Sequence, residues 1–152
     1  MRIVLGIDPG SEKSAYVLWD NKKILQKGIH PNEELLNILE DIWKWDLTEE
    51  IILAIEKIVS IHGKGGKAII DTIHWTERFY QFWPGPKELV PVWVIKKALG
   101  AKNNAGVRRV LIQRFGEEFC KQLRGKGYHR YRAFAVAVVW MDHLQFQGRE
   151  LK

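Results

Sequence analysis

The sequence has 152 residues, of which 46% are hydrophobic, and its 24 basic and 18 acidic residues give a formal net charge of +6. This length suits one domain with a buried core, which we place at residues 1–152. No apolar run approaches the ~20 residues that span a bilayer, which argues against a membrane protein. The chain leads straight into a predicted strand, so we expect no secretory signal, and its one cysteine, Cys120, suits the cytoplasm.

The first third of the chain predicts three strands. An apolar run over residues 2–7 ends at Asp8 and is followed by Pro9 and Gly10, and residues 14–20 and 23–29 are rich in strand-forming residues. A tight turn at residues 21–22 makes the last two a hairpin and leaves the first strand in the middle of a sheet. Asp8 would then be held on a rigid element as a metal or catalytic carboxylate. The alternative is that it only opens the Pro-Gly turn.

The next segment predicts a helix and a second buried strand. Residues 31–34 suit a helix start, and the continuous apolar run 51–55 ends at Glu56. A strand reached through a helix is usually parallel to its neighbour, through a right-handed crossover. If this strand lies beside the first, Asp8 and Glu56 are neighbours, and two such acids repel unless a cation or a shared proton is present.

Residues 60–66 form a basic, glycine-rich stretch without the spacing of a phosphate-binding P-loop. We interpret it as a mobile loop that closes on a nucleic-acid strand. A helix is predicted over residues 67–83, with apolar side chains on more than one face. Either a second subunit or other helices of the chain would bury the surplus.

The C-terminal half predicts an edge strand over residues 88–92, a short helix over 93–99 ended by Gly100, and a helix over 105–115 capped at residues 103–104. A last helix over 129–146 is apolar all round and therefore buried.

Basic residues are concentrated in this half. From Lys96 to Arg132 there are eleven Lys and Arg against two acids, Glu117 and Glu118. Such a polarised face is typical of a protein that binds a phosphate backbone. The alternative is an ordinary solvated surface.

Several segments, taken together, resemble RuvC-like Holliday junction resolvases, and most closely those of phages. The segments are Gly6–Ser11, Ala54–Ile58 and Ala133–Ala137, with Asp71-Thr72, Trp75, Arg78-Phe79, Ile95–Gly100 and Ala101–Arg108 for the phage-type branch. The resemblance implies a ribonuclease H-like α/β fold, a five-stranded mixed sheet of order 3-2-1-4-5 with helices on both faces. It also implies a homodimer that cuts four-way DNA junctions with Mg²⁺ or Mn²⁺, in the host cytoplasm if the protein is viral.

The same resemblance implies the site. Asp8, Glu56 and His129 would be the catalytic residues and the ligands of a two-metal site, with Asp8 bridging both ions. Bacterial members have two aspartates three residues apart where this chain has His129 and Arg132. Imidazole can bind a divalent ion, but guanidinium cannot, so the ligand set is short. His129 could instead contact a phosphate or solvent.

The DNA-binding residues implied by the resemblance, with the basic face, are Lys96, Lys97, Arg108 and Arg109. They would contact phosphates that flank the cut.

Two assignments remain open at this point. Asp71 could add a carboxylate to the site or pair within its own helix. Trp75, Phe79 and Tyr80 could stack on unpaired bases, or pack in the core or at a dimer interface.

Two other functions remain open. Because a terminal carboxylate is missing, the protein could bind branched DNA without cutting it. The opening motif also resembles the phosphate loop of sugar kinases and actin-like ATPases, but those need two such domains, and this chain holds one.

Overall fold

The computed structural model describes residues 2–45, 51–58 and 66–150, with side chains through residue 147. The predicted loop at 60–66 lies outside these ranges except for Gly66. The strands are β1 Ile3–Asp8, β2 Lys13–Trp19, β3 Ile24–Pro31, β4 Ile51–Lys57 and β5 Lys87–Pro91. The helices are α1 Asn32–Trp45, α2 Lys67–Phe82, α3 Val92–Leu99, α4 Asn104–Phe115, α5 Glu117–Cys120 and α6 His129–Glu150, and a short 3-10 turn covers Lys121–Leu123.

The five strands form one mixed sheet in the order β3-β2-β1-β4-β5. β1 pairs antiparallel with β2 and parallel with β4, β2 pairs antiparallel with β3, and β4 pairs parallel with β5. The predicted fold class and the central place of the first strand are therefore confirmed. The crossover through α1 makes β4 parallel to β1, as the connection rule requires.

Successive side chains of each strand point to opposite faces of the sheet, so the core has two layers, one on each face. On β1, Leu5 and Ile7 pack into the layer that includes side chains of α1 and α2, whereas Val4 packs into the layer built around α6. On β4, Ala54 faces the α6 layer in the same way. Because alternate residues share a face, Asp8 and Glu56 both lie on the α6 side of the sheet.

Helix α6 approaches the sheet closely because small residues meet at the contact. A Cβ atom added to Gly6 would overlap the carbonyl oxygen of Ala133 and lie 3.0 Å from the Cβ of Ala137. The α6 residues from Ala133 to Val139 are buried, as their apolar pattern predicts. This close packing fixes the height of α6 over β1, and with it the position of the first turn of the helix.

The predicted apolar surplus of α2 is covered only in part. Phe79 and the following Trp83 are fully buried, and Trp83 makes an edge contact with Trp43 of α1, while Ile70 and Phe82 are exposed. Of the helices within the described residues, none combines the length and the apolar character that crossing a bilayer requires.

Helix α5 and the turn after it were not predicted. Their four and three residues are too short to show a helical period. They close the α6 layer through Phe119, whose ring contacts those of Trp19, Phe115 and Phe134.

Candidate active site

Two buried carboxylates meet at the ends of the central parallel strands. The register pairs Ile7 of β1 with Ile55 of β4, so the next residues, Asp8 and Glu56, lie side by side. Asp8 is 2% exposed and Glu56 is 4% exposed. The predicted pairing of the two acids is therefore present in the structure, and Asp8 does more than open a turn.

The first turn of α6 brings two basic side chains to these acids. His129 and Arg132 are three residues apart and share a face of the helix. Nδ1 of His129 lies 3.0 Å from Oδ2 of Asp8. Arg132 binds Glu56 in a bidentate manner, its Nε donating to Oε2 at 3.2 Å and its Nη2 to Oε1. The same Nη2 lies 3.6 Å from Oδ1 of Asp8, so the guanidinium bridges the two carboxylates.

The buried acids and their basic neighbours shift one another's pKa values. Burial, and then the neighbouring charge of Asp8, raise the pKa of Glu56 to about 7, and Arg132 opposes this rise. The hydrogen bond to Asp8 raises the pKa of His129 above its ordinary value. Two carboxylates buried away from water need a positive partner, which Arg132 and the first turn of α6 supply.

The donor atoms suit a divalent ion, but the described part of the structure does not gather three of these side chains around one point. Carboxylate oxygens and an imidazole nitrogen are common ligands of Mn²⁺, and carboxylates of Mg²⁺. Within the described ranges, however, no three His, Cys, Asp or Glu side chains are grouped to hold an ion. Asp71 of α2 therefore does not complete such a group with the two acids. The guanidinium of Arg132 occupies the gap between Asp8 and Glu56.

A buried polar cluster fastens the loop that follows Asp8. Asn32, at the start of α1, donates through Nδ2 to the carbonyl of Gly10 at 2.9 Å and accepts from the hydroxyl of Ser14 at 2.6 Å. The Ser14 hydroxyl in turn accepts from the amide of Gly10 at 3.0 Å. These contacts hold the Pro9-Gly10 turn against β2, and so support the end of β1 that carries Asp8.

Solved structures of known proteins share this architecture. RuvC of T. thermophilus in complex with a Holliday junction substrate matches with a TM-score of 0.68 and 16% identity, over 96% of each chain. A second Thermus thermophilus RuvC structure matches with a TM-score of 0.66 and 15% identity, over 95% of this chain and 96% of that one. The protein has the RuvC fold. No protein-family model matches the sequence, and no curated protein matches it.

On this RuvC fold, the four basic residues predicted to bind DNA lie along α3 and α4. Lys96 lines a small cleft together with Glu56 and Arg132. Arg108 and Arg109 line a second cleft with Tyr128, which directly precedes His129. Lys97 is exposed in the last turn of α3. Three of the four therefore line clefts near the site. One cleft contains Glu56 and Arg132, and the other contains Tyr128, the residue directly before His129.

Four other side chains considered for the site or for DNA have partners away from the acids. Asp142, which its distance along α6 excludes from the site, forms a bidentate pair with Arg114 at 2.6 and 2.8 Å. Phe79 is fully buried, and Trp75 and Tyr80 pack against the same core layer. These contacts are those of core packing and not of stacking on bases.

Two features of the site were missed by sequence reasoning. The first is the ion pair of Arg132, for which two buried acids and a basic residue one turn into a buried helix are themselves a signal. The cluster of Ser14 and Asn32 has no such signal, because short polar residues near turns are common.

Proposed function

We propose that this protein is a structure-specific endodeoxyribonuclease that resolves four-way DNA junctions by paired, metal-dependent phosphodiester hydrolysis. The observation that carries the proposal is the pairing of buried Asp8 and Glu56 at the strand ends of a RuvC fold, with His129 against Asp8, beside clefts lined by basic residues. We further propose that residues 1–152 form one nuclease domain of the phage-type branch. The protein would act in the cytoplasm, which is the host cytoplasm if the protein is viral.

The proposed ion is Mg²⁺ or Mn²⁺, and Asp8, Glu56 and His129 are the candidates from which its ligands are drawn. Such an ion, when bound, supplies activation of a water molecule and stabilisation of the leaving oxygen. The strand ends hold the two acids rigidly, and the core beneath them keeps bulk water away. His129 is 55% exposed, so its imidazole can reach a DNA phosphate as well as Asp8.

Paired cuts on two strands require two copies of the site. One chain supplies a single pair of acids, so we propose that the active form is a homodimer. Each copy would then cut one of two opposite strands.

The basic residues are proposed to position the DNA backbone. Replacing Arg108 and Arg109 together by alanine is expected to weaken junction binding and to reduce the slope of log K against log salt by about 2, because each phosphate contact contributes close to one unit. Binding would be measured by fluorescence anisotropy over a series of salt concentrations.

The matched control removes two lysines from the other end of the sheet. Lys22 and Lys23 are exposed in the β2–β3 turn, far from the end of β1 that carries Asp8. The double alanine variant at these positions is expected to keep the wild-type slope. Equal slopes for both double variants would remove Arg108 and Arg109 from the proposed interface.

The decisive experiment compares a four-way junction with a linear duplex of the same sequence. With Mn²⁺ or Mg²⁺ we expect nicks at opposed positions of the junction and no cuts in the duplex at equal enzyme concentration. Denaturing gels of end-labelled strands give both results. Equal cutting of the two substrates would contradict junction specificity.

A second candidate function is binding of branched DNA without cleavage. The observation that favours it is the position of Arg132, which fills the gap between Asp8 and Glu56. Tight junction binding with intact strands in both metal ions would establish this function in place of the nuclease.

A further inference from the structure

The most unusual feature of the site is a guanidinium held between two buried acids. The Arg132 side chain is 28% exposed, whereas both acids are almost completely buried. Burial lowers the pKa of Arg132, but the charges of Asp8 and Glu56 more than offset this, so the group stays charged. Both oxygens of Glu56 are used by this one partner.

This position conflicts with a divalent ion shared by the two acids. Mg²⁺ binds carboxylate oxygens at about 2.0–2.1 Å, so an ion bound by both acids must lie in the gap between them. Nη2 of Arg132 already lies there, bonded to Oε1 of Glu56 and 3.6 Å from Oδ1 of Asp8. The ion and the guanidinium would also repel each other at such short range. They therefore exclude each other from the gap.

The other side of Asp8 is different. Its Oδ2 faces the imidazole of His129 at 3.0 Å, a separation that one ion bound to both atoms would tolerate. Arg132 makes no hydrogen bond to this oxygen. One ion can therefore bind on the His129 side while Arg132 stays in place.

We infer that Arg132 is the resident cation between Asp8 and Glu56 and excludes a divalent ion from that gap, so that the chain takes up a single ion on the side of Asp8 and His129. The inference rests on the proposed nuclease function, since it concerns the ions that serve that reaction. It also explains how the protein can keep both acids buried without a metal ion. Arg132 compensates their charge, and removing it would leave buried charges without a partner.

The first test counts Mn²⁺ ions per chain by electron paramagnetic resonance, without DNA or cleavage. The native protein is expected to bind one ion, and Arg132→Asp, which adds a carboxylate and removes the cation, is expected to bind two. Arg132→Lys keeps the charge and is expected to bind one. Two ions on the native protein, or no gain in Arg132→Asp, would overturn the inference.

The second test follows thermal unfolding without metal, at mildly alkaline pH. Arg132→Gln is expected to lower the melting temperature on the order of 10 °C, because two buried acids lose their partner. Added Mn²⁺ should restore most of this loss, or restore folding if the variant unfolds without metal. A wild-type melting temperature, or a loss that Mn²⁺ does not restore, would contradict the role of Arg132 as a cation in this gap.

Two control variants show whether any lost arginine has the same effect. Arg130 lies in the same turn of α6 and donates to the carbonyl of Arg124 at 2.7 Å, and Arg114 forms the exposed pair with Asp142. Neither Arg130→Gln nor Arg114→Gln should change the ion count or be stabilised by Mn²⁺ more than the native protein is. A change equal to that of Arg132→Gln would refute the inference.

Failure of the inference and failure of the nuclease proposal give different results. If the junction is not cut but Arg132→Asp gains an ion, the nuclease proposal fails and the role of Arg132 stands. If the junction is cut and the native chain binds two ions, the role of Arg132 fails and the nuclease stands.

Discussion

Replacing Asp8 by asparagine is expected to lower the rate of junction cleavage by about 10²–10³-fold, the loss typical when one preorganised group at a reacting centre is removed. Asparagine keeps the shape of the side chain, so the end of β1 should not move. It removes the charge that faces both His129 and Arg132. Single-turnover cleavage of a labelled four-way junction measures the effect.

The same variant should bind the junction at least as tightly as the native protein, because it removes a negative charge near the DNA backbone. Asp20→Asn is the matched control. Its carboxylate accepts from the backbone amides of Lys22 and Lys23 in the β2–β3 turn, at the other end of the sheet. Asp20→Asn should cut normally, and native cleavage by Asp8→Asn would show that the reaction takes place elsewhere.

The order of the sheet could be predicted because each strand follows from a local pattern and the connections obey general rules. The hairpin at Asn21 and the helical crossover through α1 leave few ways to arrange β1 to β4. Asn21 adopts a φ of 77°, which asparagine tolerates better than most residues. Helix α5 carries no comparable signal, because its four residues are ordered by contacts with distant aromatic rings.

The pair of acids could be predicted for the same reason. Asp8 and Glu56 end neighbouring parallel strands, and the period of two places both on one face of the sheet. The contacts of His129 and Arg132 could not be predicted in this way. They depend on how high α6 sits above the sheet, which is set by Gly6, Ala133 and Ala137, and no local sequence pattern encodes that height.

This dependence makes Gly6 the residue whose substitution should most disturb the fold. In Gly6→Ala the new methyl group would overlap the carbonyl oxygen of Ala133, a backbone atom that cannot rotate away. Overpacking of this kind should lower the free energy of unfolding by about 3 kcal/mol, measured by denaturant unfolding. Helix α6 must move away from β1 to relieve the overlap, and that movement separates His129 from Asp8. Junction cleavage should therefore fall even in the fraction of protein that stays folded.

Gly106 of α4 provides a control with the opposite expected sign. A Cβ atom there lies 3.4 Å from its nearest neighbours, the side chains of Ala101 and Asn103, so alanine can be accommodated. Alanine is favoured over glycine in a helix by up to about 1 kcal/mol, so Gly106→Ala should leave stability unchanged or raise it. If both variants unfold at the same denaturant concentration, the close contact between β1 and α6 does not determine the position of the helix. If only Gly6→Ala loses stability and cleavage together, the height of α6 connects the packing of the core to the geometry of the site.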